Sequence, residues 1–352
     1  MKTLCLLISI LFMLVINCQY PVDQTILPEG KRYLVVDADL SESYFKFNLQ
    51  YSLTDLGLKG AYGVPRKPGS VIAYLQDSKG VRLNIKRFDG VSDTTIRGKV
   101  GESYTLNMTV DNKQYISELE TMRPCPEIST IKSVYNVESG RDKDDIYYHG
   151  FDVLLETKDI PGVENFYQWD WIHYVKAISC GKREVGGMEV AYNCAPRDCW
   201  DIVYNTSIIS QSDALRDGNI ISKRIVRVPF INPPQKYYLR IEQRSITPRV
   251  FEFVKSLENQ TQTIGTLFDL PPQTKFSPNI KNVTDPSEKI IGTFNVFANR
   301  SQVVYIDLAQ SIPNVKPKVV SDPTPFHPDP LVTLPCVEGQ YRTKIKPIGW
   351  VD

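Results

Sequence analysis

The sequence predicts a mainly β protein, with an N-terminal immunoglobulin-like sandwich followed by a second, larger antiparallel β domain carrying one short helix. Three observations carry that reading. Apolar residues alternate with polar ones at period two in short runs. Gly, Asp, Asn and Pro clusters separate those runs about every ten residues, as strands in a sandwich require. The composition holds 19 tyrosines, 14 phenylalanines and 24 prolines, with few stretches of helical periodicity.

The chain begins with a segment of another kind. Lys2 gives a positive start, Leu4 to Ile16 is an unbroken apolar run, and Cys18 closes it. That run is shorter than the about 20 residues a bilayer span needs and suits a secretory signal. A cysteine directly after it points to lipoprotein processing, in which the Cys18 thiol is acylated and becomes the first residue. Asn17 stands where Gly, Ala or Ser is usual, so an ordinary signal peptide cut near Cys18 is the competing reading. Residues 19–32 read as a tether.

From Tyr33 the alternation starts. YLVVDADL is strand-like, and Phe45, Phe47, Leu49, Tyr51 and Leu53 share one face of the next strand. VIAYLQ, DSKG and VRLNIKRF make a hairpin whose turn ends at Gly80. YTLNMTV and KQYISELETM flank Asp111-Asn112 as another. The sandwich is assigned to residues 33–123. Pro124-Cys125-Pro126 marks a boundary, since two prolines cannot continue a central strand.

The second domain, 127–310, has longer strands: YYHGFDVLLET, YQWDWIHYVKAISC, IISKRIVRVPF and KYYLRIEQRS. A helix is predicted over 248–260. Thr247 can cap it, Pro248 suits its first turn, and Phe251, Val254 and Leu257 are expected to bury against the second sheet. IIGTFNVFA and QVVYIDL resume the strand pattern. Residues 311–352 are proline-rich and read as an extended tail on the surface.

The chain carries 41 basic and 40 acidic residues. This balance leaves no electrostatic footprint for nucleic acid and no polybasic membrane patch. Five cysteines remain beyond Cys5 and Cys18, and in an exported protein disulfides are the default. Cys180, Cys194, Cys199 and Cys336 are the candidates, with the tail linked through Cys336 to one of the other three. A thiolate metal site competes, but the spacing lacks a CxxC knuckle, and no metal or other cofactor is expected.

No catalytic residue is assigned. His149, His173 and His327 are scattered, and His173 alternates with aromatics as a packed residue would. HExxH, GxSxG and a glycine-rich phosphate loop are absent from the sequence. Asp142, Asp144 and Asp145 could bind calcium but lack the spacing of a known loop, so a solvated turn is the plainer reading. Tyr167, Trp169 and Trp171 share a strand face. They are a candidate sugar-stacking platform, and the same period-two pattern is that of a sandwich core, which is the favoured reading.

The helix SITPRVFEFVKSLENQ precedes Gly265, Leu267, Phe268, Asp269, Pro271 and Pro272. Then come Asn279, Ile280, Asn282, Asp285, Pro286, Glu288, Gly292 and Phe294. Cys199-Trp200-Asp201-Ile202, the late Cys336 and Gly349-Trp350 complete the set. In this order the motifs resemble a family of Bacteroidetes outer-membrane lipoproteins known as domain of unknown function 4249. The resemblance implies a lipid-anchored outer-membrane protein, facing the cell surface or the periplasm and associated with a TonB-dependent barrel. It implies no activity. Gly265 as a helix stop, the stiff Pro271-Pro272 and the Asp285-Pro286 turn all read as architectural.

The expected function is therefore that of a non-enzymatic outer-membrane lipoprotein, an accessory or binding component of a TonB-dependent transporter complex. Its partners would be outer-membrane lipid through Cys18 and a barrel. A stand-alone surface adhesin or glycan-binding module is the alternative, and a hydrolase with an unrecognised site is the third reading.

Overall fold

The computed structural model describes residues 33–52, 66–141, 147–214, 216–229, 236–262, 275–307, 336 and 338–351, with backbone alone for 177–185, 188–197, 236 and 261–262. The apolar N-terminal segment with Cys18, residues 19–32 read as a tether, the acidic run at 142–145, the 265–272 block, His327 and most of the proline-rich segment lie outside the described residues.

One long sheet organises the molecule. It contains β1 (Leu34–Ser41), β2 (Phe45–Tyr51), β10 (Phe166–Val185), β11 (Met188–Tyr204), β12 (Ile209–Ser212), β14 (Lys236–Ser245), β16 (Ile290–Asp307) and β17 (Arg342–Thr343). Its order is β17-β11-β10-β14-β16-β1-β2, with β12 also on β10. Period-two alternation makes one face of this sheet apolar: Leu34, Val36, Ala38, Leu40, Phe45, Phe47, Leu49, Phe294, Val296 and Ala298 are all buried. Two smaller sheets cover that face.

The first cover has six strands: β3 (Val71–Asp77), β4 (Arg82–Ile85), β5 (Ser103–Val110), β6 (Lys113–Ser117), β7 (Glu120–Thr121) and β15 (Ile280–Asn282). The hairpin turns fall where the sequence placed them. Gly80 has φ 85°, and Asp111 and Asn112 have φ 47° and 66°, the left-handed pair that a two-residue hairpin turn needs. The second cover has three strands, β8 (Ile128–Arg141), β9 (Tyr147–Lys158) and β13 (Ile220–Pro229). Phe151, Val153, Leu155, Ile221 and Val228 pack there against Trp169, Tyr237, Leu239 and Ile241.

The fold is mainly β with a single helix among the described residues. Its layers, however, do not follow the chain. β1 pairs in parallel with β16, and β15 pairs with β6, so the N-terminal core is completed by Ile280, Ile290, Phe294 and Val296. The two strands read as IIGTFNVFA and QVVYIDL are one, continuous through Arg300. That length lets β16 serve both cores.

The helix, α1 (Pro248–Gln262), starts where predicted and runs two residues longer. Three details differ from expectation. Val250 is the fully buried residue, while Phe251, Val254 and Leu257 are half-buried. Phe251 and Val254 join Phe166, Ile246, Phe297 and Tyr44 in a satellite cluster. The carbonyl of Thr247 accepts the first helical bond, from Phe251 N, but its hydroxyl is buried without a partner and does not cap.

The residues of the 279–294 motif hold the sheets in register. Asn279 Nδ2 donates to Phe294 O at 2.6 Å and to Glu120 Oε1 at 2.8 Å, and its Oδ1 accepts from Phe294 N. Asn282 Oδ1 accepts from the backbone N of Thr284 and Asp285, an Asx-type turn. Its amide donates to Glu288, which also accepts from Tyr115 Oη and Lys113 Nζ. Gly292 has φ 94°, and a Cβ there would meet Val36 O at 2.0 Å. Only glycine permits that approach of β16 to β1.

Candidate functional site

The outer face of the long sheet is where polar chemistry collects. Residues paired across neighbouring strands share a face. The registers Gln168–Arg244–Asn299, Asp170–Glu242–Ser301, Ile172–Arg240–Val303 and Tyr174–Tyr238–Tyr305 therefore form four successive rows. Asp39 and Ser41 extend the face through β1. The α1 cluster bounds one end of this strip and the C-terminal segment the other.

Arg244 is its centre, with a side chain only 14 % exposed. It lies 2.7 Å from Glu242, 3.7 Å from Asp39 and 3.8 Å from Asp170, and 4.8 Å above the Phe297 ring. Burial opposes its charge, yet Glu242, Tyr44, Asp39 and Asp170 hold the guanidinium well above its ordinary value. Burial, with Asp37 and Glu242 adding to it, lifts Asp39 to about 6 against the pull of Arg244 and Lys46. Asn299 Nδ2 donates to Glu242 Oε1 at 2.7 Å. Three carboxylates around one guanidinium give a fixed, net-negative charge cluster. It can stabilise a cationic group or exchange a proton at Asp39.

A second cluster forms where two loops meet, the β9–β10 connection and the β12–β13 connection. One carboxylate oxygen from each of Asp159, Asp213 and Asp217 lies within 4.8 Å of the others, the first two residues buried and the third exposed. Asp159 accepts from Tyr167 Oη at 2.5 Å and from Gly218 N at 2.9 Å. Asp213 accepts from Asn165 N and Asp217 from Gly162 N. Oxygen ligands of this type suit a hard divalent cation. These are the residues that could hold one. Asp213 and Asp217 lie four residues apart, but Asp159 is 54 residues before them, so the trio gave no sequence signal; the acidic turn the sequence did single out lies outside the described residues.

The candidate stacking platform is core. Tyr167, Trp169 and Trp171 are 0 %, 1 % and 7 % exposed, because this face of β10 turns inward onto β9 and β13. Trp169 Nε1 donates to Gln243 Oε1 at 2.9 Å, which satisfies the one polar atom such burial would strand. His173 stacks on Tyr237 with ring centroids 3.6 Å apart, and His149 meets Tyr135 Oη. Both are packed residues.

The cysteines divide. Cys199 and Cys336 form a disulfide across a sequence separation of 137, one of the three pairings open to Cys336. Cys180 and Cys194 sit on the adjacent strands β10 and β11. Cys125 is free and buried, and burial pushes its thiol up to about 12, which leaves it unreactive. Beyond the disulfide, the tail is fixed by Trp350. Its ring lies 5.5 Å from Tyr238, 6.0 Å from Trp200 and 6.2 Å from Tyr305. Tyr238 Oη donates to Ile348 O and Arg342 pairs with Asp201. Sequence reasoning flagged Gly349-Trp350 but missed this cage, since its members lie on four separate strands or loops.

The profile of the family described as "Domain of unknown function (DUF4249)" matches residues 19–303. The chain belongs to that family. No curated protein was found to be similar to it. The 279–294 motif is thus explained in this chain by strand register and turn geometry, and neither polar cluster on the outer face or in the loops draws on it.

Proposed function

We propose that this DUF4249 protein is an exported, lipid-anchored and non-enzymatic outer-membrane protein that acts as an accessory or binding component beside a TonB-dependent barrel. The observation that carries the reading is the Cys199–Cys336 disulfide. Such a bond persists in oxidising compartments and is rare in the cytosol. Two further observations support it: the apolar leader ends at Cys18, and the family match begins at the next residue, 19. The charged outer face offers a rigid, polar surface for a ligand or a partner.

Mass spectrometry of the N-terminus from native membranes tests the anchor. An acylated Cys18 is expected, and a mature chain starting unmodified at Gln19 overturns it. Affinity purification from the same membranes tests the partner. Stoichiometric recovery of a barrel supports the accessory role, whereas a barrel-free preparation favours the stand-alone adhesin. The aromatic row Tyr167, Trp169 and Trp171 is buried and does not support the glycan-binding form of that alternative.

A further inference from the structure

We propose that the C-terminal segment 341–351 is a docking tip that seats on an anionic lipid bilayer. Tyr341, Ile345, Ile348 and Val351 are 64 %, 75 %, 74 % and 59 % exposed. Elsewhere among the described residues the exposed apolar residues occur singly, such as Ile72, Leu119 and Ile220, or in twos, such as Val81 with Leu83 and Val134 with Val137, which is ordinary for a protein surface. Here four fall within eleven consecutive residues, and a concentration of that kind marks an interaction surface.

The segment is also held firmly. The disulfide at Cys336, the ladder of β17 on β11, the Arg342–Asp201 pair and the Trp350 cage fix its backbone. Val351 N donates to Tyr305 Oη. A segment fixed by so many contacts, yet turning its apolar side chains outward, is preorganised for a partner and loses little conformational freedom on binding.

Charge selects the partner. Residues 341–351 read YRTKIKPIGWV, with basic and no acidic side chains. Arg342 is engaged with Asp201, while the Lys344 side chain is exposed beside Ile345 and its backbone N donates to Glu338. Cations interleaved with apolar and aromatic groups suit the boundary between anionic headgroups and acyl chains, where lysine stems snorkel and charges meet phosphate.

The length of chain before β1 allows this, a step that rests on the Cys18 anchor proposed above. Leu34 pairs with Ile290 at one end of β16, and Trp350 packs on Tyr305 near the other. Fifteen strand residues separate those ends by about 50 Å. A chain of fourteen residues, the number in 19–32, can span at most a similar length, about 46–50 Å. The tip can therefore reach the bilayer that holds the anchor.

The test uses the exported chain starting at Gln19, which has no lipid but carries every described residue. It is floated with vesicles of phosphatidylcholine alone and of phosphatidylcholine mixed with phosphatidylglycerol. Binding to the anionic vesicles is expected, weakened by salt and at least about tenfold stronger than to the neutral ones. The exposed double substitution Ile345→Asp with Ile348→Asp should cut that binding at least about tenfold while leaving the thermal midpoint unchanged. No binding to anionic vesicles, equal binding to both vesicle types, or unaltered binding by the double variant each overturns the proposal. The anchor is scored separately by N-terminal mass spectrometry, so either reading can fail alone.

Discussion

Removing the Cys199–Cys336 bridge, by Cys199→Ser together with Cys336→Ser, isolates what the cross-link contributes. The bridge closes a loop of 137 residues. In the chain-entropy relation the loss on opening is 2.1 + 1.5R ln n cal/mol/K, which for this loop gives about 5 kcal/mol at 25 °C. Removal of native bridges typically costs about 2–5 kcal/mol, so the expected loss lies in that range. The folded tail should stay in place, because the Trp350 cage, the Tyr238–Ile348 hydrogen bond and the Arg342–Asp201 pair remain. The effect therefore acts mainly on the unfolded chain, which becomes more expanded. Urea unfolding followed by tryptophan fluorescence should show a lower midpoint with an equal or larger slope and an unchanged folded spectrum. A loss under about 0.5 kcal/mol, the level of an exposed surface change, would refute the reasoning, as would peptide mapping that finds Cys336 free.

Three further outcomes follow from specific contacts. Gly292→Ala forces a Cβ to within 2.0 Å of Val36 O at φ 94°; the left-handed conformation alone costs roughly 1–2 kcal/mol. With the backbone clash added, the urea midpoint should show a total above about 3 kcal/mol. Asp39, lifted to about 6 from 3.8, binds its proton more tightly folded than unfolded. Its protonation therefore favours the fold below about pH 4, and that contribution is lost as pH rises through about 6. Asp39→Asn should gain on the wild type between those values, by on the order of 1–3 kcal/mol; a difference that stays flat with pH refutes it. Phe251→Ala should cost about 2 kcal/mol by denaturant titration. This is less than the about 3–5 expected for a fully buried ring, since Phe251 is half-buried and keeps one face on Phe166 at 4.8 Å.

What was legible in the sequence was local. Period-two alternation revealed the strands with their inward faces, Asp111-Asn112 and Gly80 revealed the turns, and Pro248 revealed the start of α1, because each signal lies within a few residues of what it specifies. The family motif at 279–294 was legible as architecture, and its asparagines and Gly292 do fix strand register. The clusters of the candidate site were not legible. Arg244 gathers carboxylates from three strands, and Asp159 meets Asp213 and Asp217 from a second, distant loop. No spacing rule connects such positions.

The sequence by itself determined that the chain is mainly β and that the strands alternate between an apolar and a polar face. These are properties of short windows, in which side-chain pattern and backbone preference act together. Only the tertiary structure decided that β16 runs unbroken beneath two cores, and that β1 joins it in parallel from more than two hundred residues away. It also decided which cysteine receives Cys336, and that Tyr167, Trp169 and Trp171 face β9 and β13 instead of solvent. Strand alternation says that one face is buried. What covers that face is a matter of long-range pairing, set by how much apolar area distant strands can remove from water together.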